Sequence, residues 1–339
     1  MNGRRRARVF TALILVFAVL LAFLVSNYRL FQFTMVVAYA IAILGLDMLT
    51  GYTGQISLGH GAFYAVGAYT AAILMANFDV PYWVTVPPAA LICAGFGFAF
   101  GFPALRLGGL YLALATFALA IAVPQLLKYK LFEDWTGGVQ GIVVSKPDPP
   151  FGLPLSQDQW LYLFTLAIGI TLFALARNLL RGRIGLAMRA VRDHALAAEA
   201  MGIDIALLKT STFALSAMYT GIAGALGAIA VQFVAPDSFS VFLSITLFVG
   251  LIVGGITSLL GAVFGAMFIV FIPNLADQIS KAAPGAIYGV ILIAFLYLLP
   301  AGFAGLLRRQ RRIIQARTQP ARALGPTPAK ATGDIKAGN

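Results

Sequence analysis

The sequence predicts an all-α integral membrane protein. It reads as a polytopic helical bundle of about 8–10 transmembrane helices at roughly 20 residues each, some of them broken, with N- and C-termini cytoplasmic. Three observations carry that expectation. The 339 residues are 60% hydrophobic and only 11% charged, whereas a soluble globule carries about 25% charge. Apolar runs of bilayer-crossing length follow one another with few interruptions. The net charge of +12 is concentrated at the two ends: Arg4, Arg5, Arg6 and Arg8 precede the first run, and Arg308, Arg309, Arg311, Arg312, Arg317, Arg322, Lys330 and Lys336 follow the last. Basic residues flanking spans mark cytoplasmic faces, which explains the tail better than a contact with nucleic acid or anionic lipid does.

Taken in order, the expected spans are residues 9–25, 30–49, 56–76, 84–105, 108–127, 159–180, 210–234, 240–259, 261–279 and 284–300. The first has an Arg-rich start like a signal peptide but is long and lacks a small-residue cleavage site, so it reads as an uncleaved span. Starting inside, five crossings put the Gly-, Pro- and acid-rich stretch 133–158 outside, as a periplasmic loop. A sixth brings the basic stretch 181–209 inside, and four more do the same for Arg308–Arg312. Arg106 also falls inside, while Lys128 and Lys130 fall outside, against the rule. The layout is then a basic cytoplasmic N-terminus at 1–8, a transmembrane domain at 9–307 and a basic, disordered cytoplasmic tail at 308–339.

Small residues recur at helix-packing spacing, as Gly97/Gly101, Gly221/Gly224, Gly250/Gly254, Gly261/Gly265 and Gly285/Gly289. Such pairs let helix backbones approach closely in lipid. The 35 glycines and 16 prolines also favour broken helices, which transporters use to present backbone groups.

Several chemistries find no support. Cys93 is the single cysteine, so neither a disulfide framework nor a thiolate metal site is expected. His60 and His194, the only histidines, lie in different segments. No G-x-x-x-x-G-K-[ST] phosphate loop occurs, and no nucleophile and base pair up. The chain is expected to be no enzyme, to hold no metal or cofactor of its own, and to have the lipid bilayer rather than nucleic acid as its surroundings.

Two segments stand out. In "LDMLTGYTGQISLGHGAFYAVGAYTAA", residues 46–72, the polar Thr50, Thr53, Gln55, Ser57 and His60 interrupt membrane-type sequence. Each needs a protein or solvent partner, since hydrocarbon offers none. In a packing reading, Ser57 bonds a carbonyl one turn earlier and a neighbouring span satisfies His60. Asp47 and His60 support a different class of reading, a self-sufficient ion-coupled secondary transporter, unless Asp47 sits at a helix end. The second segment, "RGRIGLAMRAVRDHALAAEAMGIDIALLK", is cationic through Arg192 and then Ala-rich, with Asp193, Glu199, Asp204 and a break at Gly202. Asp193 reads as the N-cap of a short helix. Such a helix suits a groove in a partner protein, and a solvated linker is the alternative.

Both segments resemble the permeases of bacterial ABC importers, specifically the branched-chain amino acid (high-affinity leucine/isoleucine/valine) family. The G-Y-x-G-Q-x-S-L-G-H signature of that family is present from Gly51 to His60. Its E-A-A…G coupling signature is matched by Ala197 to Ile203, with Glu199, Ala200 and Gly202. Tyr111-Leu112-Ala113 leading to Thr116-Phe117-Ala118, Thr136-Gly137-Gly138 with Gly141, Gly254 to Leu259 and Pro300-Ala301-Gly302 also fit, and the likeness runs from about residue 30 to 307. Val139 stands where the family often has Ser, and Ala262 where Pro is common.

The resemblance implies a membrane-spanning subunit in the bacterial inner membrane that forms the pathway for branched-chain or related small amino acids. Its partners would be a paralogous permease (or a second copy), two ATP-binding cassette subunits that bind the ATP, and a periplasmic substrate-binding protein. Gln55, Ser57, His60 and Thr116 become candidates for the pathway or its gate. Arg192, Asp193, Glu199, Ala200 and Gly202 become candidates for ATPase coupling. A related permease for urea or other small amides is the nearest alternative.

Overall fold

The computed structural model describes residues 15–306 except 105, 106, 108, 153 and 301. The expectations for 1–8, Arg106, Ala301 and 308–339 lie outside those residues. So does the first part of the span expected at 9–25, of which the described portion forms a short helix, α1 (Leu15–Leu24).

Nine helical stretches among the described residues are long and apolar enough to cross a membrane. They are built on α2 (Asn27–Asp47), α3 (His60–Phe78), α4 (Tyr82–Ala104), α5 (Leu110–Leu127), α7 (Gln157–Arg181), α10 (Ile205–Val231), α11 (Val241–Gly254), α12 (Leu259–Ile279) and α13 (Pro284–Leu298). A one-turn helix, α6 (Glu133–Thr136), and the pair α8 (Arg183–Asp193) and α9 (Ala195–Ala200) lie between spans. Each expected span from the second onward therefore has a helical counterpart.

Two spans form the centre. The apolar windows of α2 and α10 are 78% buried, against 12% for the stretch around α13. α10 packs against α2, α3 and α4, and α12 packs against α11 and α2. Lipid is as apolar as leucine, so close packing rather than water exclusion holds helices together here. Glycine makes that packing close. A Cβ at Gly67 would collide with Gly221, and one at Gly254 with Gly261. Gly97 and Gly101 likewise face α10 at Ala217 and Phe213. At Gly285/Gly289 the described residues show no such contact, since no other element among them comes within 4 Å of either Cβ position.

The 133–158 stretch holds a feature the sequence did not suggest, a two-stranded ribbon. β1 (Ile142–Val143) pairs antiparallel with β2 (Phe233–Val234), Ile142 opposite Val234. It ties the stretch to the end of α10 and so identifies one end of the bundle. Thr136 fixes the turn before it, donating to the Leu127 and Phe132 carbonyls at 2.8 and 2.9 Å. Lys128, anomalous in the crossing count, pairs with Asp237 at this end at 2.5 Å, and Lys146 pairs with Asp158 at 2.5 Å. α7 begins here with a capping box, Ser156 and Gln159 bonding each other's backbone amides. It carries the chain to the opposite end, where α8 and α9 sit.

Candidate functional site

The break in the second and third spans lies where the polar run is. α2 passes into a π-helical turn, Met48–Tyr52, and residues 54–59 are not helical. The helix expected from residue 56 starts only at His60. π-turns are rare and concentrate at functional positions. Gly54 ends the turn with φ +73°, a left-handed conformation that a side chain disfavours.

The polar groups of this break are buried and paired. His60 is fully buried; its Nδ1 lies 3.0 Å from Ser57 Oγ and its Nε2 2.7 Å from Ser216 Oγ of α10. Ser216 donates its own hydrogen to the Gly45 carbonyl at 2.6 Å. It must therefore accept from His60 Nε2–H, which leaves Nδ1 to accept from the Ser57 hydroxyl. A neutral imidazole thus satisfies the whole chain of bonds from Ser57 to Gly45. Thr116 of α5, also fully buried, accepts from the Leu58 amide at 2.9 Å and donates to the Ala113 carbonyl at 3.0 Å. The Gly61 amide, one of the donors that a helix start leaves over, is taken by Ser244 of α11 at 2.8 Å. Spans α3, α5, α10 and α11 therefore meet at one polar knot.

Gln55 belongs to a neighbouring arrangement. Its amide nitrogen donates to Thr53 Oγ1 at 3.0 Å and to the Lys209 carbonyl in α10 at 3.4 Å. Thr50 donates to the Gln55 carbonyl at 3.0 Å. So Ser57, His60 and Thr116 are brought together, while Gln55 points to the α8–α10 end. The packing reading holds for His60. For Ser57 the partner is His60 rather than a carbonyl one turn back, because the segment is not helical there.

Asp47 sits at a helix end, as the last residue of α2, and is 1% exposed. Its carboxylate accepts from the amides of Thr257 (2.7 Å) and Ser258 (3.1 Å). Thr257 has φ +61°, a strained value for a β-branched residue, so Asp47 anchors an unusual turn that starts α12. Its bonds run to the start of α12, whereas those of His60 run to Ser57 and Ser216.

The stretch 181–209 is folded as α8, α9 and the entry to α10. Asp193 closes α8 instead of capping the next helix, and its carboxylate is 2.9 Å from Arg192. His194 occupies the cap position of α9 without a side-chain bond. The true capping acid is Asp204, which accepts from the Leu207 amide at 2.9 Å at the start of α10. Glu199 and Ala200 lie in α9 and are exposed, and Gly202 follows with φ +82°. Leu196 and Met201 flank them at 78% and 84% exposure. A wide cleft of about 550 Å³ opens beside Glu199, Gly202 and Lys209.

Besides the Gln55–Lys209 bond, a contact from Arg192 joins the two segments. Arg192 Nη1 donates to the Gly51 carbonyl at 2.8 Å, a carbonyl left over where the π-turn stops. Its Cγ would stand 3.1 Å from a Cβ at Gly54. A Cβ at Gly51 would in turn collide with the Asp47 carboxylate. Ser216, Ser244 and the Arg192–Gly51 contact were missed in the sequence. The hydroxyls Thr212, Ser216 and Thr220, four residues apart in an apolar span, were the available signal for Ser216.

Comparison with known proteins gives a consistent result. A family model described as "Branched-chain amino acid transport system / permease component" matches residues 28–299. The chain is 30% identical to the high-affinity branched-chain amino acid transport system permease protein LivM of Salmonella typhimurium over 331 residues, covering 91% of this chain and 77% of the relative. The Escherichia coli K12 protein of the same name gives the same values. The LivH permease of Escherichia coli K12 is 23% identical over 295 residues, 79% of this chain and 91% of the relative. No solved structure matches significantly.

Proposed function

The chain belongs to the family of branched-chain amino acid transport system permease components, and from that premise we propose that it is the membrane-spanning subunit of an ATP-driven importer for branched-chain or related small amino acids. Its pore partner is a paralogous permease, a reading supported by its similarity to proteins named both LivM and LivH. Two ATP-binding cassette subunits bind the ATP, and a periplasmic binding protein delivers the substrate. The protein resides in the bacterial inner membrane, with the α8–α9 end cytoplasmic and the ribbon end periplasmic. The arginines 181, 183, 189 and 192 at the former support this orientation.

The observation that carries the mechanism is the Arg192–Gly51 bond. An ATPase seated on α9 through Leu196, Glu199, Ala200, Met201 and Gly202 moves the short α8–α9 unit. Arg192, braced by Asp193, transmits that movement to the π-turn, and Gln55 receives it through Lys209. The break at Gly54–Gly59 then shifts relative to the knot of Ser57, His60 and Thr116, which acts as the gate. These hydroxyls and the imidazole are already satisfied by one another, so they favour one closed arrangement rather than solvating cargo. Opening exchanges those bonds for others.

Reconstituted proteoliposomes holding both permeases, the ATPase subunits and the binding protein test this. Leucine uptake is expected with ATP inside and none with an inactivated ATPase. Uptake driven by a proton gradient without ATP would reverse the conclusion.

A further inference from the structure

α7 is a peripheral span. It packs against α2 and α8, and its inward side is set by close contacts. Val37 of α2 leaves no room for a Cβ at Gly169, and the Leu172 carbonyl accepts from the Tyr219 hydroxyl of α10 at 3.0 Å. The outward side is bare. Ala167, Ile170, Ala174, Arg177 and Arg181 are all exposed and follow one another at steps of three, four, three and four residues. Those steps place them in one stripe along the helix.

The stripe changes character along its length. From Ala167 to Ala174 it is apolar, and Leu175 beside it is 57% exposed. Its end at the α8–α9 side is cationic: Arg177 and Arg181 are joined by the exposed Asn178 and, just past the bend at Gly182, by the exposed Arg183. Among the described residues the ion pairs are Lys128–Asp237, Lys146–Asp158 and Arg192–Asp193, so no carboxylate there answers these three arginines. Arg177 lies a full turn, about 6 Å, inside the end of the span. A cation at that depth on a lipid-facing side needs an anion or water within reach of its long stem.

We propose that this end of α7 holds the headgroup of an anionic phospholipid. Arg177 and Arg181 donate to its phosphate oxygens, for which the planar guanidinium fork is well shaped. Asn178 and Arg183 border the headgroup, and an acyl chain lies along Ala174, Ile170 and Ala167. Length agrees with the assignment: the ten residues from Ala167 to Arg177 rise about 15 Å, half of a hydrocarbon core about 30 Å thick. A zwitterionic lipid brings its own cation and gains less from the arginines. The site rests on the membrane-spanning fold and not on the transported substrate, so either reading can fail without the other.

Native mass spectrometry of the purified assembly, which counts the lipids each complex keeps, tests the site. With equal amounts of phosphatidylglycerol and phosphatidylcholine in the detergent, wild-type protein is expected to keep severalfold more phosphatidylglycerol, since one arginine near an anionic headgroup is worth about fivefold. Arg177→Gln combined with Arg181→Gln should lower that preference severalfold. Lys128→Ala, at the other end of the bundle, should leave it unchanged. Either single glutamine variant serves if the double one does not assemble, with part of the preference lost.

Equal retention of the two lipids by wild-type protein, or an undiminished preference in the glutamine variants, would overturn the proposal. Displacement of the lipid by excess inorganic phosphate would assign the arginines to a small anion. Loss of the lipid on adding a partner permease or ATP-binding subunits would assign them to a protein contact. Either of these results would overturn the lipid site as well.

Discussion

The break at residues 47–60 and the loop at 181–209 are both polar interruptions in an apolar chain, and the structure treats them oppositely. In the break, Ser57, His60 and Asp47 are 1%, 0% and 1% exposed, and each is bonded within the chain. In the loop, Leu196 and Met201 stand out at 78% and 84% exposure beside the exposed Glu199. Polar groups inside a membrane protein must be satisfied internally, so the break is closed on itself. The loop projects apolar side chains where they gain nothing from this chain. One region is bonded inward and the other faces outward, and Arg192 spans the gap between them.

Substitutions can break this contrast, beginning with the largest effect. Asp47→Ala removes the acceptor from two partly buried amides at the start of α12, and each donor left unpaired costs up to about 1–3 kcal/mol. Quantitative blotting of membranes should show the assembled protein falling severalfold, with Asp47→Asn milder because one acceptor oxygen remains. Gly202→Pro acts on the exposed side. Proline cannot adopt φ +82° and lacks the amide that bonds Glu199. Uptake should be lost while the permease pair still forms, and normal coupled uptake in the assembled variant would detach α9 from ATPase coupling.

His60→Ala strands the hydroxyl of Ser57 and a lone pair of Ser216. Leucine uptake should drop about tenfold, the equivalent of 1.4 kcal/mol, and uptake with unchanged specificity and rate would remove the knot from the gate. Lys128→Ala marks the bottom of the scale. Its pair with Asp237 is at the surface, where Asp237 is 73% exposed, and exposed pairs contribute about 0–1 kcal/mol. Thermal unfolding should be nearly unchanged.

Much of the fold was legible because run length and hydropathy report directly on spans. The break was legible in outline, from Gly54, Gly59 and the polar Gln55 and Ser57 between them. Its details were not. His60 finds Ser216 156 residues away and Asp47 finds the Thr257 amide 210 residues away, pairings that depend on how helices settle against each other. The cap assigned to Asp193 missed because a neighbouring arginine claims the carboxylate. The ribbon missed because two residues per strand leave no periodic pattern.

The link between the two regions is tested most directly by the ratio of leucine transported to ATP hydrolysed in proteoliposomes carrying Arg192→Ala. ATP hydrolysis stimulated by the loaded binding protein should persist while leucine transported per ATP falls severalfold. A wild-type ratio in that variant would contradict the account, because the loop would then drive the gate without its grip on Gly51.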